Sequence, residues 1–413
     1  MSGEGRPNGA ALPVADQARQ LVVSAFGDDF MRERIEAGLG AMAANSIRAM
    51  VCDVRHYRQW TAKLTIEPFP LSEQVLGRYL KGLERSGRKA STAERRLASL
   101  GRFVRLVGEK HQLLELQSDY VRDCLKGYQK RRGVRVRKMA PVRFGKAGDP
   151  LGGEGINLLG LIAACSEDLR GRRDAAMLAV LYGGGLRVSE AIGLLVGDFV
   201  PVTDGPASLF LRSSKTDQLG EGALVPLGAM MARYVADWIS DAGIGHQRER
   251  PLFSRVREVR APVSRIMIER QYDRGDLAGY VRSVRAAQAR EKALAALPAE
   301  LAAGEKALTR QGVLEIVRRL VARAIDGGCV DIGGNDRAEV IAAVGTHSFR
   351  VGLTHDLLAN KIDLGRVMLA QRWTSASTAL GYARDLSSKA SGVIELFDNF
   401  EDQAVLAAGG NCD

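Results

Sequence analysis

Covalent staples, metal ligands and nucleotide-binding loops are all scarce in this chain. Of its 413 residues only five are cysteines, and Cys52, Cys124, Cys165, Cys329 and Cys412 lie far apart with no C-x-x-C pair among them. That excludes a disulfide framework and a zinc ribbon, and points to reduced thiols in a cytosolic protein. The five histidines include no i, i+4 pair, since even His347 and His355 are too far apart, so no metal site is expected. No G-x-x-x-x-G-K-[ST] loop and no G-x-G-x-x-G turn occurs; Gly183-Gly184-Gly185 fits neither spacing, and no cofactor is expected. There is no run of about eighteen apolar residues and no signal-peptide pattern at the N-terminus, so a soluble cytoplasmic protein without a membrane partner is expected.

Positive charge is abundant. The formal net charge is +11, and Lys and Arg are spread along the whole length rather than gathered in one tail. A polyanion is the partner this implies, because distributed positive charge raises the local concentration of phosphate-bearing ligands. The length exceeds one ordinary domain, so two are expected, each able to bury its own core.

The periodicities predict a mainly α fold with a small β-sheet. Residues 1–25, rich in Gly, Ala and Pro, read as a flexible N-terminal arm. From 26 to 133 the pattern is helical: Ile47, Val51, Val54 and Tyr57 share one face, and Ser72 precedes a helix burying Val75, Leu76, Tyr79, Leu80 and Leu83. Ser91 and Glu94 have capping-box spacing before Leu97, Leu100 and Val104, Gly108 marks a stop, and another helix begins near Ser118. The run Lys130–Lys146 is too basic to bury and is broken by Gly133, Pro141 and Gly145, which makes 134–148 a basic interdomain linker lying in solvent or along phosphates. Residues 149–413 form the second domain. It holds an apolar helix over Asp174–Gly183, two strands over 209–213 and 223–227 around a turn at 216–222, and an Ala-, Arg- and Glu-rich helical insertion near 265–307.

Six side chains in the second domain suit metal-free attack on a phosphodiester. Such a reaction needs a nucleophile, charge neutralisation for a pentavalent transition state and a proton donor for the departing oxygen. Arg187 and Arg350 supply the planar forks that bind phosphate oxygens in pairs. His347 precedes Arg350 by three residues, so on a helix the two share a face; it can take or give the phenolic proton of Tyr382. Lys215, at the end of the first strand, can lose a proton and so can serve as general acid. Trp373 can donate its indole N–H to a nonbridging oxygen but cannot shuttle a proton. Taken singly, each has an ordinary alternative: Arg187 and Glu190 as a surface ion pair, His347 as a capping or core histidine, Trp373 as a packed aromatic.

The stretches Leu181-Tyr182-Gly183-Gly184-Gly185-Leu186-Arg187-Val188-Ser189-Glu190, Ser214-Lys215-Thr216, Thr346-His347-Ser348-Phe349-Arg350-Val351-Gly352 and Gln371-Arg372-Trp373 through Gly381-Tyr382 resemble the tyrosine site-specific recombinases, or phage integrases. Pro251–Arg257 and the tryptophan at 373 are similar to the Cre branch. The resemblance implies a C-shaped clamp of a helical core-binding domain and a catalytic domain closing on double-stranded DNA with inverted-repeat sites. It also implies Tyr382 as the nucleophile of a 3′-phosphotyrosyl intermediate, Glu190 orienting the first arginine, and strand exchange without metal or ATP. The protein would then work near the nucleoid of a bacterium, encoded by its chromosome, a plasmid or a phage. By the same resemblance, Val393, Ile394, Leu396, Phe397 and Phe400 dock on a neighbouring protomer in a homotetramer. Two other readings use the same residues: a type IB topoisomerase that swivels one strand, and a DNA-binding protein of this fold that has lost catalysis. Six intact positions argue against the last.

Overall fold

The structure, a computed structural model, describes residues 12–27, 32–133, 139–145, 155–201, 205–212, 221–259 and 300–383. The chain forms two compact units, Met1–Arg137 and Lys138–Asp413.

The first unit is helical: α1 (Val14–Phe26), α2 (Arg32–Gly40), α3 (Ala44–Ala62), α4 (Glu73–Arg85), α5 (Ala90–Leu106), α6 (Gln112–Gln117) and α7 (Asp119–Arg132). Apolar residues at helical spacing turn inward, with Met50, Val54 and Tyr57 of α3, Leu76, Tyr79 and Leu80 of α4, and Leu100, Phe103 and Val104 of α5 in one core. Burying each such leucine is worth roughly 1.5–3 kcal/mol, which is what turns a set of marginal helices into a folded unit. A polar knot ties α3 to α5 and, through a hydrogen bond of 2.9 Å between the His56 ring and the Tyr79 hydroxyl, to α4. The buried Asp53 carboxylate accepts from Ser99 Oγ at 2.8 Å and pairs with Arg95, while Arg96 reaches the His56 ring at 2.9 Å.

Several local expectations are corrected here. The second half of the expected arm is α1, because Ala18, Leu21 and Val22 form an i, i+3, i+4 stripe that is buried in the core. Ser91 and Glu94 do not form a capping box: α5 starts at Ala90, which is itself buried, so packing sets the start and leaves Ser91 inside the first turn. Ser72 does occupy the N-cap of α4, but its hydroxyl donates to Gln74 and the Glu73 amide is instead met by the Glu115 carboxylate of α6 at 2.7 Å. α7 begins beside Ser118 as expected, and the Ser118 hydroxyl also caps it, accepting from the Val121 amide at 3.2 Å.

The second unit is built around α9 (Leu169–Gly183), following the short α8 (Leu158–Ala163). Residues 175 to 182 of α9 are all buried, as expected of a helix apolar on every side. After α10 (Val188–Ala191) comes a three-stranded antiparallel sheet, β1 (Phe199–Val200), β2 (Ala207–Leu211) and β3 (Ala223–Leu227), with Leu209 opposite Val225. β2 starts two residues earlier than the sequence predicts, since Ala207, Leu209 and Leu211 are the alternate residues that point into the core. Next come α11 (Ala229–Asp241), β4 (Ser254–Val259) and β5 (Glu300–Ala307), then α12 (Arg310–Asp326), α13 (Arg337–Ala343), α14 (Ser348–Ala359), α15 (Leu364–Gln371) and α16 (Ala376–Ala383).

β5 overturns the end of the expected helical insertion. Residues 300–307 pair antiparallel with β4, Val256 opposite Ala303, although Ala, Glu and Lys favour helix in isolation. Pairing with a ready edge outweighs that weak preference. Residues 260–299, and the apolar set Val393, Ile394, Leu396, Phe397 and Phe400, lie outside the described residues. Among the described residues no helix is long and apolar enough to cross a membrane.

The expected linker is corrected as well, for residues 139–145. They pack into the second unit: Val142 is fully buried, the Ala140 amide donates to Ala343 O and the Val142 amide to Ser348 O, both at 3.0 Å. The basic run is tolerated because Arg143 pairs with the buried Asp356 of α14, which also accepts from the Phe144 amide at 2.9 Å and from the Tyr182 hydroxyl. This strap presses against Gly352, where a Cβ would stand 1.7 Å from Val142 O. Gly352→Ala is therefore expected to cost about 1–3 kcal/mol or more, read as a fall in the melting temperature. An unchanged melting temperature would mean that the strap is not held there.

Candidate active site

Four of the predicted residues meet in the second unit. His347 sits in helical conformation immediately before α14, and Arg350 follows one turn later. The loop after α15 brings Trp373, and α16 brings Tyr382. His347 Nε2 and the Tyr382 hydroxyl share a hydrogen bond of 2.7 Å. The Tyr382 ring stacks on the Trp373 indole, with centroids 5.0 Å apart and planes inclined by 14°. The Arg350 guanidinium lies 5.5 Å from the same indole, within cation–π range.

Arg350 is 1% exposed and is fixed by carbonyls: one nitrogen donates to Gly185 O at 2.5 Å and another to Gln371 O. Gly185 can offer its carbonyl there because its φ is +55°, a left-handed conformation that glycine adopts without strain. Arg187 occupies the N-cap of α10. Its amide donates to Glu190 Oε2 at 2.9 Å and its guanidinium to Oε1 at 2.6 Å. The Glu190 side chain is only 3% exposed, so this is not the surface ion pair that the sequence also allowed. Lys215 lies outside the described residues.

The electrostatics follow from burial and from clustered cations. Burial, with the charges of Arg350 and Arg187, lowers the His347 pKa and keeps the ring neutral at pH 7. Burial raises that of Tyr382, and the same two arginines pull against it, so the resting phenol is protonated. Burial, Arg187 and Arg372 bring Arg350 down to about 10, which still leaves it charged at neutral pH. Burial pushes the Glu190 carboxyl up, but the Arg187 hydrogen bonds and the Arg372 charge more than offset this and hold it below its ordinary value.

Arg372 belongs to the site and was not among the residues predicted for it. Its guanidinium donates to Glu190 Oε2, Gly184 O and Gly185 O, each at 3.2 Å. It caps α15 in left-handed conformation, φ +52° and ψ +48°, a strain of order 1–3 kcal/mol for a residue with a side chain. Its place next to Trp373 was the only sequence signal; the backbone reversal that aims it inward had none. The arrangement as a whole can bind a phosphodiester by two or more guanidinium groups and attack it with a phenol whose proton passes to a neutral imidazole.

Residues 156–389, more than half of the chain, match the phage integrase family. The chain belongs to that family. This phage integrase relative is 23% identical to the recombinase cre of Escherichia phage P1 over 227 residues, which cover 55% of this chain and 53% of that protein. It is 28% identical to the tyrosine recombinase XerD of Bifidobacterium longum (strain NCC 2705) over 219 residues, 52% of this chain and 62% of that one. The matched stretch thus spans less than two thirds of each relative. Among solved structures, XerH site-specific recombinase bound to palindromic difH substrate, in a post-cleavage complex, superposes with a TM-score of 0.50 at 14% identity, covering 92% of this chain and 94% of that one. That similarity establishes the shared, mostly helical fold.

Proposed function

We propose that this integrase-family protein is a site-specific recombinase that cuts and rejoins double-stranded DNA through a 3′-phosphotyrosyl intermediate. The observation that carries the reading is the 2.7 Å contact between His347 and the Tyr382 hydroxyl, set beside the buried Arg350. In the proposed step, Arg187 and Arg350 bind the nonbridging oxygens and Trp373 donates its indole N–H to the same phosphate. The Tyr382 oxygen attacks phosphorus as its proton moves to His347 Nε2, and the 5′ oxygen departs with a proton from Lys215. Phosphate-bond energy stays in the intermediate, so the freed 5′ hydroxyl of a partner strand can reverse the step without ATP. Inverted-repeat target sites, a homotetrameric synapse held by residues 393–400 and a place near the nucleoid complete the proposal; family resemblance supports them.

The test is incubation with the duplex that flanks the protein's own gene, followed by denaturing electrophoresis. A covalent adduct together with exchange between two sites supports the reading. An adduct with plasmid relaxation but no exchange would favour a type IB topoisomerase, and DNA binding with no adduct a non-catalytic DNA-binding protein.

The pH dependence follows from the same groups. His347 accepts a proton only while neutral, and its pKa lies below the ordinary 6.5. Adduct formation is therefore expected to be flat near pH 7 and to fall only as pH drops through a value under 6.5. Because the Tyr382 pKa is raised above 10, no gain from free phenolate is expected below that. Single-turnover rates between pH 5 and 9 check this; an acid limb centred above 6.5 would contradict His347 as the acceptor.

A further inference from the structure

The left-handed arginine that closes α15 joins two anchors which are otherwise separate. Glu190 holds Arg187 from one side and accepts from Arg372 on the other. The Gly185 carbonyl accepts from both Arg350 and Arg372. Arg372 is therefore the one described side chain hydrogen-bonded both to the carboxylate that fixes the first phosphate-facing arginine and to the carbonyl that fixes the second. A side chain of this length in a conformation that glycine adopts without strain is an outlier with a cost, and the side chain is largely buried, 13% exposed, where its charge lowers the pKa of Arg350. Glu190 alone would cancel the charge of Arg187. With Arg372 present, one carboxylate faces three guanidinium groups.

We propose that Arg372 is a positioning residue: it locks Glu190 and the Gly185 carbonyl in one arrangement, so that Arg187 and Arg350 present their forks together, and it raises the site's net positive charge by one. It need not touch the substrate to do this. Misplacing either fork by an ångström is enough to slow an oriented reaction about a hundredfold. The inference rests on the recombinase reading for its chemistry, but the arrangement of cations can be tested without it.

The experiment compares the full chain with Arg372→Gly and Arg372→Lys. Glycine relieves the left-handed backbone, so the first variant is expected to melt within a few degrees of the parent and to bind duplex DNA comparably. Its single-turnover adduct formation is expected to be about ten- to a hundredfold slower. The lysine variant, which keeps the charge but not the fork, is expected to fall in between. In a second arm, inorganic phosphate is titrated into the DNA-free proteins by calorimetry, and Arg372→Gly is expected to bind it about fivefold more weakly. If the parent forms no adduct, the recombinase reading falls and the phosphate arm alone decides this one. Parent-like behaviour of Arg372→Gly in whichever assays the parent supports overturns the proposal. So does an equal loss of rate and melting temperature in both variants, which would mark Arg372 as structural only.

Discussion

Replacing Tyr382 by phenylalanine is expected to abolish the covalent protein–DNA adduct while leaving the affinity for duplex DNA within about threefold. The ring stays, so the stack on Trp373, with its 5.0 Å centroid separation, is retained, and only the oxygen that His347 contacts is lost. Removing a nucleophile that acts as a unit with its base typically costs about ten-thousand-fold or more, which in a gel assay reads as no product. DNA affinity is carried mainly by cations on phosphates, and none has been altered. Adduct formed by Tyr382→Phe would remove this residue from the chemistry and send the search to another hydroxyl.

The second large effect is expected at Arg350. Alanine there leaves the carbonyls of Gly185 and Gln371 buried without their donors, at about 1–3 kcal/mol each, so the variant should melt lower as well as lose activity. Arg350→Lys separates the two effects. It keeps a positive charge but cannot meet two carbonyls and a phosphate from one planar group, and adduct formation should slow about a hundred- to a thousandfold. The comparison needs a melting curve and a single-turnover rate for each variant. A lysine variant that cleaves at the parental rate would show that charge alone suffices and that the fork geometry plays no part.

Why some of this was legible in the sequence and some was not has a physical answer. His347 and Arg350 lie within one helical turn, and Trp373 and Tyr382 are only nine residues apart, one in the loop after α15 and the other on the short α16, so local spacing nearly determines their geometry. Glu190 is equally local, three residues from the arginine it holds. Arg372 was missed because its contribution depends on a backbone reversal and on carbonyls at Gly184 and Gly185, about 188 positions away, which no periodicity reports. The same division runs through the fold. Helices such as α4, where Leu76, Tyr79, Leu80 and Leu83 line one side, were visible from their pattern. By contrast β5 and the strap around Val142 exist because a distant partner is there to receive them, β4 in one case and α14 in the other, and composition pointed the wrong way for both.

The pairing of β4 with β5 carries a consequence for how this protein can vary. Val259 and Glu300 stand opposite each other across the ribbon, so a turn of two residues could join them. The chain nevertheless spends residues 260–299 on the journey. The register of the ribbon therefore sets no demand on how much chain runs between its two ends, and the β4–β5 pairing stands on its own hydrogen bonds whatever length separates them in sequence.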